Sequence, residues 1–222
     1  MHKTVILFFL YLAPLLLSAQ FQFRRSNEIP VQYFQNNLSL AWTGGMDACQ
    51  FSQIDLNLDG TEDVFVFDRI GSRVMTFVHN GGSGVNFTWT PRYDSIFPAL
   101  SDWVLLADYD NDGHADLFTG FDGGFIVYKN MAADSGEVAF LPYPGGAIKT
   151  NRPGNVRVEI AVNSMDIPAI VDLDGDGDLD VLTYDQPGSR IEYHKNVCKD
   201  FYGHSDSLIY RFEEACWGHV ME

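Results

Sequence analysis

At 222 residues and an apolar fraction of 46%, the chain is long enough for one domain with its own core. Thirty acids against fourteen Lys and Arg leave a formal net charge of −16. That charge excludes nucleic acid and anionic membrane surfaces as partners.

Residues 1–19 read as a secretory signal peptide. His2 and Lys3 supply the positive start, Val5 to Leu17 the apolar stretch, and Ser18-Ala19 a small-residue cleavage site before Gln20. The apolar stretch is too short to span a bilayer comfortably, and no span is expected after cleavage. The expected location is therefore secreted or cell surface.

Past the signal, Phe21-Gln22-Phe23 and Leu38 to Trp42 suggest edge strands, and Gly44-Gly45 breaks the second. Ala48 to Ile54 reads as a strand feeding an acidic loop. Trp103 to Ala107 and Ile167 to Val171 are its counterparts further on. Both counterparts are nearly all apolar, the pattern of strands buried on both faces, which predicts inner blade strands.

The loops that follow these strands carry four, four and five of the thirty acids. They are Asp55-Leu56-Asn57-Leu58-Asp59-Gly60-Thr61-Glu62-Asp63, Asp108-Tyr109-Asp110-Asn111-Asp112-Gly113-His114-Ala115-Asp116 and Asp172-Leu173-Asp174-Gly175-Asp176-Gly177-Asp178-Leu179-Asp180. Two carboxylates about 4 Å apart repel by roughly 4 kcal/mol at an effective dielectric near 20. A bound cation removes that penalty. Side chains at positions 1, 3 and 5, a carbonyl at 7 and a carboxylate at 9 suit a hard cation with oxygen ligands. Glycine at position 6 allows the sharp turn. An acidic loop without metal gives no reason for that glycine to recur three times.

An EF-hand begins in the same way but needs a bidentate Glu at position 12 and flanking helices. Position 12 is Val66, Thr119 and Thr183, and the flanks are β-branched and aromatic. Each loop leads instead into a strand, a tight turn and a second strand ending near Asn80, Asn130 or Asn196. The turns are Arg69 to Ser72, Asp122-Gly123-Gly124 and Gln186 to Ser189. The loops start at 55, 108 and 172, spacings of 53 and 64 residues, which suits propeller blades. The predicted fold class is all-β, with blades of four antiparallel strands. Phe87 to Thr90 reads as an outer strand, Phe140 to Gly146 as a junction, and Val156 to Val162 as a half-exposed strand.

The pattern D-x-[DN]-x-D-G-x-x-D followed by a short apolar strand resembles the FG-GAP/VCBS repeats of integrin-like β-propellers, over residues from about 40 to 197. The resemblance implies calcium, about three ions, held between adjacent strands of each blade. Its ligands would be Asp55, Asn57, Asp59 and Asp63; Asp108, Asp110, Asp112 and Asp116; Asp172, Asp174, Asp176 and Asp180. Thr61, His114 and Asp178 would add the position-7 carbonyls.

The tail, 198–222, is framed by Cys198 and Cys216 and reads as the start of a further blade. In an exported chain the two cysteines suggest a disulfide, with free thiols as the alternative. Cys49 is left as a buried free thiol. Three loops and the tail make three to four blades, fewer than most closed rings need. An incomplete propeller is therefore expected, with apolar surface open near Trp42, Phe51, Ile191, Tyr193 and Tyr210, and further blades from a longer parent chain or a partner.

No G-x-S-x-G, H-E-x-x-H or phosphate-binding glycine loop occurs, and the six histidines are scattered. His79 and His194 hold matching strand positions and read as structural. The sequence thus suggests a non-enzymatic calcium-binding module for adhesion or for a protein or glycan ligand. The alternative is a non-catalytic propeller within a secreted polysaccharide-degrading enzyme.

Overall fold

The computed structural model describes residues 26, 28–82 and 86–220. The signal segment and the strand expected at Phe21 to Phe23 lie outside the described residues.

Apolar and β-branched runs pair into three sheets of the same design. The first follows a small hairpin, β1 (Gln32–Tyr33) and β2 (Asn36–Asn37). It contains β3 (Cys49–Ile54), β4 (Asp63–Asp68), β5 (Arg73–His79) and β6 (Phe87–Trp89), antiparallel in chain order. The second contains β7 (Val104–Ala107), β8 (Asp116–Phe121), β9 (Gly124–Asn130) and β10 (Phe140–Pro142), with α1 (Ala132–Ser135) before β10. A hairpin of β11 (Lys149–Arg152) and β12 (Val156–Glu159) follows. The third sheet contains β13 (Ala169–Val171), β14 (Asp180–Tyr184), β15 (Ile191–Asn196) and β16 (Tyr210–Glu214), with α2 (Cys198–Tyr202) before β16. The fold is all-β, built of propeller-like blades that form no closed barrel.

Several expectations change. Phe140 to Pro142 is not a junction but the outer strand of blade two, paired with Tyr128 to Asn130. The tail does not open a further blade: β16 pairs with β15 and completes blade three. The β11–β12 hairpin then joins β16 in parallel, through Thr150 and Asn151, and widens that sheet to six strands. Leu38 to Trp42 forms no strand: Leu38 donates its N–H to the Val31 carbonyl at the end of the β1–β2 hairpin, turns follow, and the Trp42 indole donates to the Ile29 carbonyl at 2.8 Å.

Burial also falls elsewhere than expected. The second strands are the buried ones: Phe65, Phe67, Leu117, Phe118 and Val181 have essentially no exposure. Each second strand has a strand on either side and side chains packed on both faces. On β8 the alternation is plain, Leu117 entering a cluster with blade one and Phe118 a cluster with blade three. The inner strands are sheet edges buried on one face: Ile54, Val104 and Ile170 are buried, whereas Phe51 is 68% exposed and Val171 46%. Tyr193 and Tyr210, expected at the open end, are buried, Tyr210 in the cluster shared with blade two and Tyr193 with its hydroxyl on Asp180. Phe201 and Tyr202 on α2 are exposed instead.

The cysteines are all free. The β15–β16 ladder runs from Asn196 opposite Tyr210 to Tyr193 opposite Glu214. Cys198 lies beyond one end and Cys216 beyond the other. At about 3.3 Å per strand residue they are roughly 10 Å or more apart, past the ~7 Å reach of a disulfide. Cys49 is only partly buried.

Two contacts set the blades against each other. The Gln50 side-chain oxygen accepts from the Val104 N–H at 2.9 Å, joining the inner strands of blades one and two. At the end of the blades away from the acidic loops, the Arg69 guanidinium donates to the carbonyls of Asp102, Ser164 and Met165 at 2.6, 2.8 and 3.2 Å. One side chain thus ties the β4–β5 turn to the segments leading into β7 and β13.

Candidate metal centre

All three acidic loops join an inner strand to the second strand of its blade, so they sit at the same end of the arc. Each is organised around its own backbone. The position-1 carboxylate accepts from the position-6 N–H: Asp55 from Gly60 at 2.7 Å, Asp108 from Gly113 at 2.9 Å and Asp172 from Gly177 at 3.0 Å. Those glycines have φ of +82°, +90° and +91°, which L side chains rarely adopt. The position-5 carboxylate accepts from the position-7 N–H: Asp59 from Thr61, Asp112 from His114 and Asp176 from Asp178, at 2.8 to 2.9 Å.

The position-9 aspartates do more than close the loops. Asp63, Asp116 and Asp180 are fully buried. Each accepts the N–H of position 2, from Leu56, Tyr109 or Leu173. Each also accepts the N–H of the last residue of the third strand, His79, Asn130 or Asn196. Tyr193 adds its hydroxyl to Asp180 at 3.0 Å. This brace clamps the loop to the far side of the blade, while Leu56 and Tyr109 plug the core beneath. Burial pushes the Asp63 and Asp108 carboxyls up from their usual range, Asp116 to about 7 and Asp180 to about 6.

The loops differ in what they gather. Oxygens of Asp108, Asp110 and Asp116 lie within 4.8 Å of one another, as do those of Asp172, Asp174 and Asp176. Opposite ligands of an ion held at about 2.4 Å are about 4.8 Å apart, so these groups fit a calcium-sized ion. The donor chemistry agrees, because every donor is a hard oxygen. One buried oxygen each of Asp112 and Asp176 is met by no backbone N–H and faces a lysine ammonium instead, at 3.6 Å and 3.1 Å. In loop one no three acids meet so closely among the described residues. There the Asn57 amide donates to Asp59 at 2.9 Å and holds its carboxyl below the usual range. Asp178 turns its side chain away from the loop and accepts the Lys199 N–H at 2.6 Å, near the start of α2. Only its backbone stays with the loop.

Two cations not foreseen from the sequence stand at these loops. Lys129 lies 2.6 Å from Asp110 and 3.6 Å from Asp112, and Lys195 pairs with Asp174 and lies 3.1 Å from Asp176. The signal was present: each lysine precedes the asparagine that ends a third strand. Those asparagines have a role of their own, since their side-chain oxygens accept the N–H of Ala132 and of Cys198 as α1 and α2 begin. A further bond, Asn111 Nδ2 to the Gly177 carbonyl at 3.1 Å, joins loop two to loop three.

Residues 55–119, from the first acidic loop into β8, match the family profile described as an FG-GAP-like repeat. No curated protein and no solved structure matches the chain. The repeat takes in loops one and two with the strands between them. Loop three lies outside the matched span, yet its braces to Leu173 and Asn196 copy those of the repeat.

Proposed function

We infer that the chain is a calcium-stabilised propeller module of a secreted or cell-surface protein, used to bind a protein or glycan ligand. The observation that carries this is the gathering of carboxylate oxygens in loops two and three at calcium spacing. When bound, the ion would neutralise the crowded acids and lock the turn between inner and second strands. Asp108, Asp110, Asp112 and Asp116 would hold it in loop two, and Asp172, Asp174, Asp176 and Asp180 in loop three. Loop one would use Asp55, Asn57, Asp59 and Asp63. Among the described residues, no helix is long and apolar enough to cross a membrane.

Calorimetric titration of chelator-treated protein with calcium should show about three equivalents, with one site lost in Asp112→Ala. Fewer than two equivalents, or identical titrations of variant and wild type, would overturn the metal reading. Incubation with a glycan panel, scoring both retention and product release, separates a binding module from part of a degrading enzyme.

A further inference from the structure

Lys129 and Lys195 occupy the same place in two blades, next to last in the third strand. The residues after them also agree. Lys129-Asn130 is followed by Asp134, and Lys195-Asn196 by Asp200, each five positions beyond its lysine. The side chains repeat the arrangement. Lys129 Nζ reaches Asp110 and Asp112 in loop two and lies 3.8 Å from Asp134 on α1. Lys195 Nζ reaches Asp174 and Asp176 in loop three and lies 3.2 Å from Asp200 on α2. Each ammonium is therefore shared between positions 3 and 5 of an acidic loop and one carboxylate outside it. Blade one has Val78 at the lysine's position.

An ammonium and a divalent ion cannot hold the same carboxylate oxygens at contact distance, because like charges at that range repel. A lysine with no second partner would oppose the ion outright. Here the outside carboxylates offer one. The Asp134 and Asp200 side chains are 58% and 45% exposed, so they can take the ammonium at the protein surface. The flexible four-carbon stem allows the move without displacing the strand.

We propose that Lys129 and Lys195 are built-in counterions that compete with the divalent ion for loops two and three and move onto Asp134 and Asp200 when it binds. This rests on the calcium reading above. Without the ion the lysines keep the acids from forcing the loops open. With it they yield the ligands, and the affinity of loops two and three is set below what their carboxylates alone would give. Loop one, with fewer acids and no lysine, escapes the competition.

Calcium titration calorimetry of the full chain after chelation tests this, with wild type beside Lys129→Met, Lys195→Met, Asp134→Asn and Asp200→Asn. Each methionine variant should tighten one site about fivefold, the upper scale of one partly exposed ion pair, and should melt earlier than wild type in chelator. Each asparagine variant should weaken the same site, because the displaced lysine loses its second partner. If a methionine variant does not fold, the asparagine variants, on exposed helical turns, read the same competition with opposite sign. Calcium uptake by wild type with unchanged or weaker binding in both methionine variants overturns the counterion role and leaves the metal reading standing. No uptake by wild type or by any variant removes the metal reading, and this inference with it.

Discussion

At the scale of single residues, the position-9 aspartates are worth most to the fold. Asp180 satisfies the buried Asn196 N–H, the half-buried Leu173 N–H and a tyrosine hydroxyl. Asp180→Ala leaves them without partners, at about 1 to 3 kcal/mol for each buried donor. Urea denaturation in chelator, where no ion contributes, should show a loss of at least about 3 kcal/mol. An unchanged midpoint would show that water replaces the carboxylate. The same burial gives a pH dependence. Asp116 and Asp180 have carboxyls raised to about 7 and about 6 in the fold. Between the ordinary range near 4 and these values the folded state binds more protons than the unfolded chain. In chelator, stability should therefore rise as pH falls from about 7.5 to about 5. Saturating calcium, which favours the ionised form, should flatten or reverse that slope. Melting temperatures at the two pH values, with and without calcium, check the sign.

At the scale of elements, the acidic loops were legible because their chemistry is local. Aspartates at alternate positions, a glycine where φ is positive and an apolar residue at position 2 all lie within nine residues. The strands beside them were legible for the same reason, as runs of β-branched and aromatic residues. At the edge of blade three, β12 was legible within Val156 to Val162, but β11 was not. Lys149-Thr150-Asn151-Arg152 is polar and has no strand signature; it extends because β12 on one side and the β16 edge on the other offer it hydrogen bonds. Pairing between distant segments also corrected the cysteines. The β15–β16 ladder carries Cys198 and Cys216 to opposite ends, so thiol labelling of unreduced, denatured protein should modify all three cysteines. Labelling of Cys49 alone would restore the disulfide and require a different register for β16.

At the scale of the whole molecule, the blades form an arc stapled by Arg69 and stacked through clusters between neighbours. An arc has an open inner side, and Phe51 and Val171 lie on inner strands along it. Unpaired strand edges beside exposed apolar side chains promote association. Sedimentation of the 222-residue chain in calcium should show concentration-dependent association, relieved in Phe51→Asp. A monomer at all concentrations, with Phe51 protected from solvent, would mean that other parts of the chain cover the inner edge.

By itself, the sequence determined the number of acidic loops, their ligand-type residues and the strand–turn–strand after each, because all of these depend on neighbours within a few positions. Tertiary structure alone decided which carboxylates meet. Loops two and three bring three acids together, whereas loop one, with Asn57, does not. It also decided which charges oppose an ion, since Lys129 and Lys195 come to their loops from strands 19 and 21 residues further along, carried there by hairpin register. The physical reason is range. A turn or a strand is set by local sterics and hydrogen bonds, but the charge at a site is the sum over every strand that folding brings beside it.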